Sequence, residues 1–135
     1  MDRHFQTSIV KWIFLALTVG WMILIFWFSA RPGQESTEMS MSAGEKVAYL
    51  FVPGYRNWTE EEQKELAGRI DYPVRKCAHA AEYMVLAVWV FLTVSSFRKK
   101  SKGAFIPAWL ITTAYAATDE IHQLFVPGRS GRATD

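Results

Sequence analysis

The side chains best suited to chemistry lie in one run near the C-terminal end of the chain. Asp119-Glu120-Ile121-His122-Gln123 places an acid pair, a histidine and an amide at the end of a mostly apolar stretch. Ionisable groups in or near hydrocarbon are costly, so they usually face the interior of a helical bundle or a wet cavity. The run is therefore a candidate functional site.

Two helical faces can bring such groups together. The first opens the second apolar segment with the spacing i, i+4, i+7, i+8, which places its members on one face; they are Arg75, His79, Glu82 and Tyr83. The second follows i, i+3, i+7, i+10; its members are Thr112, Tyr115, Asp119 and His122, with Gln123 beside them. Glu120 is turned about 100° from its neighbour Asp119. Glu82 and Asp119 lie about 6 and 7.5 Å below the outer ends of their segments, so we expect both faces at one level.

The expected result is a polar pocket that opens to the exterior. It contains His79, Glu82, Asp119 and His122, and is rimmed by Arg75, Lys76 and Arg129. One interpretation is a binding site in which the basic residues contact an anionic envelope lipid or glycolipid. A second is a hydrolase or transferase, with Glu82 or Asp119 as general base and His79 or His122 as its partner. A third is a structural or regulatory subunit, because polar residues also join membrane helices at about 0.6 kcal/mol each.

Metal and nucleophile chemistry find little support in the sequence. His79-x-x-Glu82 and Glu120-x-His122 differ from zinc signatures such as H-E-x-x-H. A single cysteine, Cys77, offers no metal-binding Cys pair. Ser130 lacks a G-x-S-x-G context, which favours a turn residue over a nucleophile. We expect no metal and no cofactor.

The apolar segments predict three transmembrane helices in an all-α protein. The first is 12–30, which carries no charge. The second is 78–97 and the third is 104–124. About 20 apolar residues are needed to cross a bilayer, so the third must include Asp119. The first apolar region is longer than the 7–15 residues of a signal peptide, which favours an uncleaved helix.

Basic residues set the expected topology. Four of them, Arg98, Lys99, Lys100 and Lys102, fill the loop between the second and third helices, and Arg3 and Lys11 precede the first. The positive-inside rule therefore places the N-terminus and the 98–102 loop in the cytoplasm. We therefore expect a multi-pass protein of the cell membrane, with the 31–77 loop and the C-terminal segment outside. Arg129 and Arg132 oppose this placement but are outnumbered by the six basic residues on the other side.

The 31–77 loop has nearly balanced acids and bases, which argues against a nucleic-acid partner. Thr59 and Glu62 have the spacing of a capping box, which predicts a short helix over 60–69. The apolar patch 47–52 is interpreted as an interfacial turn of helix. Three serines, Ser36, Ser40 and Ser42, are interpreted as capping and loop-solvating residues.

The chain resembles the VanZ-like membrane proteins, whose namesake is an accessory glycopeptide-resistance protein. The resemblance rests on 29–32 with the later serines, on Lys76-Cys77-Ala78-His79 with Glu82-Tyr83, and on 119–131 continuing to Asp135. It implies one small helical membrane domain over 1–135 and reduced susceptibility to teicoplanin without an established reaction. It also adds Tyr83, Glu120, Gln123, Ser130 and Asp135 to the candidate ligand-binding residues. The family pattern has four spans, so we expect either that a fourth helix follows Asp135 or that this protein lacks the final span, and the stop at a motif residue favours the first.

Overall fold

The chain is built from helices, as the sequence predicts. A computed structural model describes residues 3–98 and 103–128. Over these ranges the helices are α1 (Arg3–Ser29), α2 (Gly33–Phe51), α3 (Glu60–Phe97) and α4 (Phe105–Gln123), with a short 3₁₀-helix at Tyr55–Asn57. No strand occurs within the same ranges, so the predicted all-α class is confirmed.

Two helices, α1 and α3, are long and apolar enough to cross a membrane. In α1 the apolar part is Ile9–Ser29. At 38 residues, α3 is about 57 Å long, well beyond the roughly 30 Å of a hydrocarbon core. The third predicted span is not confirmed, because the polar side chains Asp119, Glu120 and His122 lower the mean hydropathy of α4.

The segment expected to be an exterior loop is mostly helical, which corrects the prediction for 31–77. Helix α2 occupies 19 residues of it, and α3 occupies its last part. The capping box is confirmed, since the Thr59 backbone N–H donates to Glu62 Oε2 at 2.8 Å and Glu62 N–H donates to Thr59 Oγ1 at 3.3 Å. The helix that begins there does not end near 69. It continues through Pro73 into the apolar segment.

The described residues fall into two compact units. The first unit comprises those within 1–30 and 81–125, and the second those within 31–80 and 126–135. The first unit has a core of Ile25, Leu86, Val90 and Ala108. Within it α1 runs antiparallel to α3, since Trp12 contacts Phe97 and Trp21 donates to the Glu82 carbonyl. Helix α1 runs parallel to α4, since Tyr115 donates to the Met22 carbonyl and Ser29 donates to Asp119.

The second unit is held by close packing of small residues. Ser40, Gly44 and Ala48 are buried along one side of α2. A Cβ added to Gly44 would lie 3.2 Å from the Ile70 side chain, so this glycine lets α2 approach α3 closely. The Gly33 N–H donates to the Pro127 carbonyl at 3.0 Å, and Gly128 turns the chain there with a positive φ of 78°.

Candidate functional site

The polar centre of the first unit is the Asp119 carboxyl group, which is 3% exposed. Its Oδ2 accepts three hydrogen bonds, from Ser29 Oγ at 2.8 Å, Tyr83 Oη at 2.5 Å and Gln123 Nε2 at 2.8 Å. Gln123 Nε2 also donates to Ser29 Oγ at 3.0 Å. We call these four residues the Asp119 cluster.

Three helices supply the cluster, and their sequences explain the geometry. Ser29 is the last residue of α1, where the apolar run ends. Tyr83 lies near the start of the apolar part of α3. Asp119 and Gln123 are four residues apart on α4 and therefore share a face. The helix directions described above bring these positions to one end of the first unit.

The electrostatics of the Asp119 cluster are unusual for a buried acid. All three donors to Oδ2 are neutral side chains. The other carboxyl oxygen, Oδ1, is buried and has no hydrogen-bond partner among the described residues. Leaving one buried polar atom unsatisfied costs about 1–3 kcal/mol, and more for a charged group. A donor to Oδ1 would therefore have to come from outside the cluster, and the atom is buried.

His122 adds a second unsatisfied atom. Its ring stacks on Phe26 with centroids 4.6 Å apart, and its Nε2 is buried without a partner in the described parts of the chain. Asp119 and His122 are three residues apart on α4, so they are neighbours on its surface. Glu120 is exposed, whereas His122 and Gln123 are half-buried.

Other predicted site residues lie in the second unit, where Arg75 is the best defined. Its Nη2 donates to Asp71 Oδ1 at 2.9 Å and Oδ2 at 2.8 Å, and to Thr37 Oγ1 at 3.2 Å. Ser40 hydrogen-bonds Asp71 and is 7% exposed. The interpretation of Ser40 as a loop-solvating residue was therefore wrong, because α2 packs it against α3. We call Thr37, Ser40, Asp71 and Arg75 the Asp71 cluster.

The predicted pocket residues are thus divided between the units. The first unit contains Glu82, Tyr83, Asp119, Glu120, His122 and Gln123. The second contains Arg75, Lys76 and His79. Lys76 is exposed with its ammonium 5.4 Å from the Tyr72 ring centroid, and His79 is half-buried. Arg129, Ser130 and Asp135 lie outside the described residues. A ligand-binding role for each of these positions stays a prediction.

Sequence reasoning missed Ser29, Ser40 and Asp71 as members of polar clusters. The available signal for Asp71 was its position four residues before Arg75, which is the spacing of a helical ion pair. The available signal for Ser29 was a hydroxyl at the end of an apolar helix, which is too common a position for serine to indicate a polar cluster. Over residues 3–98 and 103–128, no group of three or more His, Cys, Asp or Glu side chains could hold a metal ion.

The fold and the clusters define a small all-helical protein with two helices able to cross a membrane. The family model described as VanZ/LLP1 matches residues 14–135, which is most of the chain. The chain belongs to the VanZ/LLP1 family. No curated protein and no solved structure matches it.

Proposed function

We propose that the chain is an integral membrane protein of the bacterial cell envelope that binds an envelope lipid or glycolipid at the Asp119 cluster. The observation that carries the proposal is a pair of buried, unpartnered polar atoms among the described residues, Asp119 Oδ1 and His122 Nε2. A ligand hydroxyl can donate a hydrogen bond to Asp119 Oδ1 and accept one from the N–H form of His122 Nε2. Sugar and glycerol head groups present such hydroxyls.

Membership in the family supports a narrower form of this proposal. The resemblance to an accessory glycopeptide-resistance protein suggests that occupancy of the site contributes to tolerance of teicoplanin-type antibiotics. The ligand would then be an envelope molecule on which such antibiotics depend.

A susceptibility assay tests the site. The full chain and its variants are expressed in a teicoplanin-susceptible bacterium at matched membrane abundance. Asp119→Asn replaces one carboxyl oxygen with a donor, and His122→Phe keeps an aromatic ring against Phe26 but removes Nε2. Both are expected to return tolerance to the level of cells without the chain. The control is Glu120→Gln, the exposed neighbouring acid, which should behave as the wild type.

Two results would overturn this proposal. Wild-type expression without any change in susceptibility would remove the antibiotic role. Variants of Asp119 and His122 that keep full tolerance would remove these two residues as the active element.

We further propose that α4 crosses the membrane beside α1 and α3. Its 19 residues span about 28 Å, close to a hydrocarbon core. Apolar side chains on its surface are strongly exposed, among them Phe105 at 69%, Ile106 at 67% and Trp109 at 58%. A lipid environment would cover them. The proposed topology has the N-terminus and the 98–102 loop in the cytoplasm, with 31–77 and the C-terminal segment outside.

The single cysteine offers a direct test of this topology. Cys77 is exposed and unpaired. A membrane-impermeant thiol reagent should label it in intact cells. A Cys77→Ser chain carrying Ser101→Cys, in the basic loop, should be labelled only after the cells are opened. The reverse pattern would overturn the proposed orientation.

An enzymatic role has one specific observation in its favour. Ser29 Oγ donates to Asp119 Oδ2 at 2.8 Å, and a hydroxyl held by a carboxylate is the arrangement of a base-activated nucleophile. Ser29 is fully buried, so a substrate would reach it only after side chains move. Purified chain incubated with envelope lipids should then yield a product that Ser29→Ala abolishes. Absence of turnover in the wild type would end this alternative.

A further inference from the structure

A groove of about 540 Å³ lies in the second unit, where α2 ends and α3 begins. Its walls are Glu45, Lys46, Tyr49, Leu50, Tyr55 and Gln63. Ligand sites typically measure about 300–1,000 Å³, with mostly apolar walls and a few polar groups. The groove matches that description and shares no residue with either polar cluster.

Tyr55 is the unusual member of this wall. It is 5% exposed, and its hydroxyl is buried with no hydrogen-bond partner among the described residues. Its main chain is well held, because its N–H donates to the Val52 carbonyl at 3.3 Å and its carbonyl accepts from Gln63 Nε2 at 3.0 Å. Buried tyrosine hydroxyls usually find a partner. The unpaired hydroxyl therefore indicates a place for an acceptor that the described residues do not supply.

The rest of the groove limits what that acceptor can belong to. Leu50 is 74% exposed, and the next residue, Phe51, is 77% exposed, so an apolar surface continues from the groove. Glu45 and Lys46 place one negative and one positive charge on the same wall. The Arg56 guanidinium adds a second positive charge, 4.3 Å from the Tyr49 ring centroid. A ligand with an apolar chain, a phosphate and an ammonium complements this surface.

We propose that this groove binds a single zwitterionic amphiphile of the phosphoethanolamine lipid class. The acyl chain lies against Tyr49 and Leu50, the phosphate pairs with Lys46, and the ammonium pairs with Glu45. The Tyr55 hydroxyl donates to an oxygen of the ligand. This site is independent of the Asp119 cluster, and either can fail without the other.

Calorimetric titration of the full chain, held in an amphipathic polymer free of lipid, tests the proposal. The probes are a short-chain lysophosphatidylethanolamine, an anionic lysophosphatidylglycerol of equal chain length, and phosphoethanolamine without a chain. The zwitterionic lysolipid should bind saturably and tightest of the three. Tyr55→Phe should weaken it about tenfold, since it leaves a ligand oxygen unpaired. The matched control is Tyr72→Phe, an exposed tyrosine of the same unit, which should leave binding unchanged.

Two further readouts separate a ligand role from a purely structural one. Because the Tyr55 hydroxyl has no partner in the described chain, Tyr55→Phe should keep or raise the unfolding temperature of the ligand-free protein. Glu45→Gln should bring the zwitterionic lysolipid down to the affinity of the anionic one. Equal binding by wild type and Tyr55→Phe would overturn the proposal. So would preference of the wild type for the anionic lysolipid, or equally tight binding of chain-free phosphoethanolamine.

Discussion

Two buried aspartates, one in each unit, are held in different ways. Asp119 is 3% exposed and Asp71 is 8% exposed. Each accepts a hydrogen bond from a serine hydroxyl, Ser29 in one case and Ser40 in the other. Asp71 also faces the guanidinium of Arg75, which donates to both of its oxygens. The described partners of Asp119 are all neutral, and all of them contact the same oxygen.

The difference lies in how each buried carboxylate is compensated. A buried charge that is paired and hydrogen-bonded is compatible with a stable core, whereas an uncompensated one is costly. Asp71 has its counter-ion four residues away on the same helix and joins α3 to α2. Asp119 keeps one oxygen without a donor from the described residues, at a cost in free energy. The contacts of Asp71 therefore stabilise the packing of α2 on α3, whereas recognition at the Asp119 cluster is the role that we propose.

Removing the counter-ion of Asp71 should have the largest effect on stability. Arg75→Met keeps most of the side-chain volume but leaves Asp71 buried without its cation. We expect a loss of about 3 kcal/mol in the free energy of unfolding, measured by denaturant titration in detergent. The control is Arg69→Met on the same helix, where the pair with Glu65 is exposed and contributes less than about 1 kcal/mol. Equal losses in both variants would remove the distinction between buried and exposed pairs.

Weakening the Asp119 cluster should cost less. Tyr83→Phe removes one of three donors to Oδ2 and leaves the ring in place. We expect a loss of about 1.5 kcal/mol in the free energy of unfolding, the low end for a hydrogen bond to a charged group. Combined with Asp119→Asn, the two changes should show a clear coupling energy in a double-mutant cycle. Strict additivity would mean that the 2.5 Å contact contributes nothing.

Changing the second unpaired atom should be nearly neutral for stability. His122→Phe removes a buried nitrogen that has no partner in the described chain, and it preserves the stack on Phe26. We expect the unfolding free energy to fall by no more than about 0.5 kcal/mol or to rise, because no hydrogen bond is lost and an unsatisfied buried nitrogen is removed. A loss of unfolding free energy as large as that of Tyr83→Phe would show that His122 Nε2 has a structural partner. It would count against the proposed binding site.

A third carboxylate, on the surface, should give the smallest effect. Hydrogen bonds from the Thr59 backbone and hydroxyl lower the pKa of Glu62 below its usual value of 4.5. A lowered folded-state pKa contributes stability above the unfolded pKa, and this is lost as the pH falls through the folded one. Glu62→Gln should therefore flatten the decline of stability at acid pH slightly. Glu61→Gln, outside the capping box, should not; identical pH profiles for both variants would contradict this account.

Local sequence signals predicted the helices that depend least on packing. The uncharged run of α1 and the capping box at Thr59 are confirmed, because each rests on short-range chemistry. Helix α2 was missed, since its serines and glycines favour loops in isolation. Its helical form depends on burying Ser40, Gly44 and Ala48, which no local pattern reveals.

Long-range packing also decided which polar residues meet. The spacing on α4 placed Gln123 beside the predicted face of Asp119, and Tyr83 was on the predicted face of α3. The partner from α1, Ser29, depends on how three helices align. The continuation of α3 through Pro73 likewise reverses the usual tendency of proline to end a helix.

A side-by-side measurement of Asp119→Asn and Asp71→Asn tests the central claim most directly. The free energy of unfolding and teicoplanin tolerance at matched abundance are measured for both. Asp71→Asn should lose about 2 kcal/mol, because it weakens an ion pair. It should keep its tolerance, because Asp71 is not part of the proposed binding site. Asp119→Asn should stay within about 1 kcal/mol of the wild type, because removing an uncompensated buried charge offsets the weakening of its hydrogen bonds, and it should lose its tolerance. An Asp119→Asn chain that is as unstable as Asp71→Asn but fully tolerant would contradict the account.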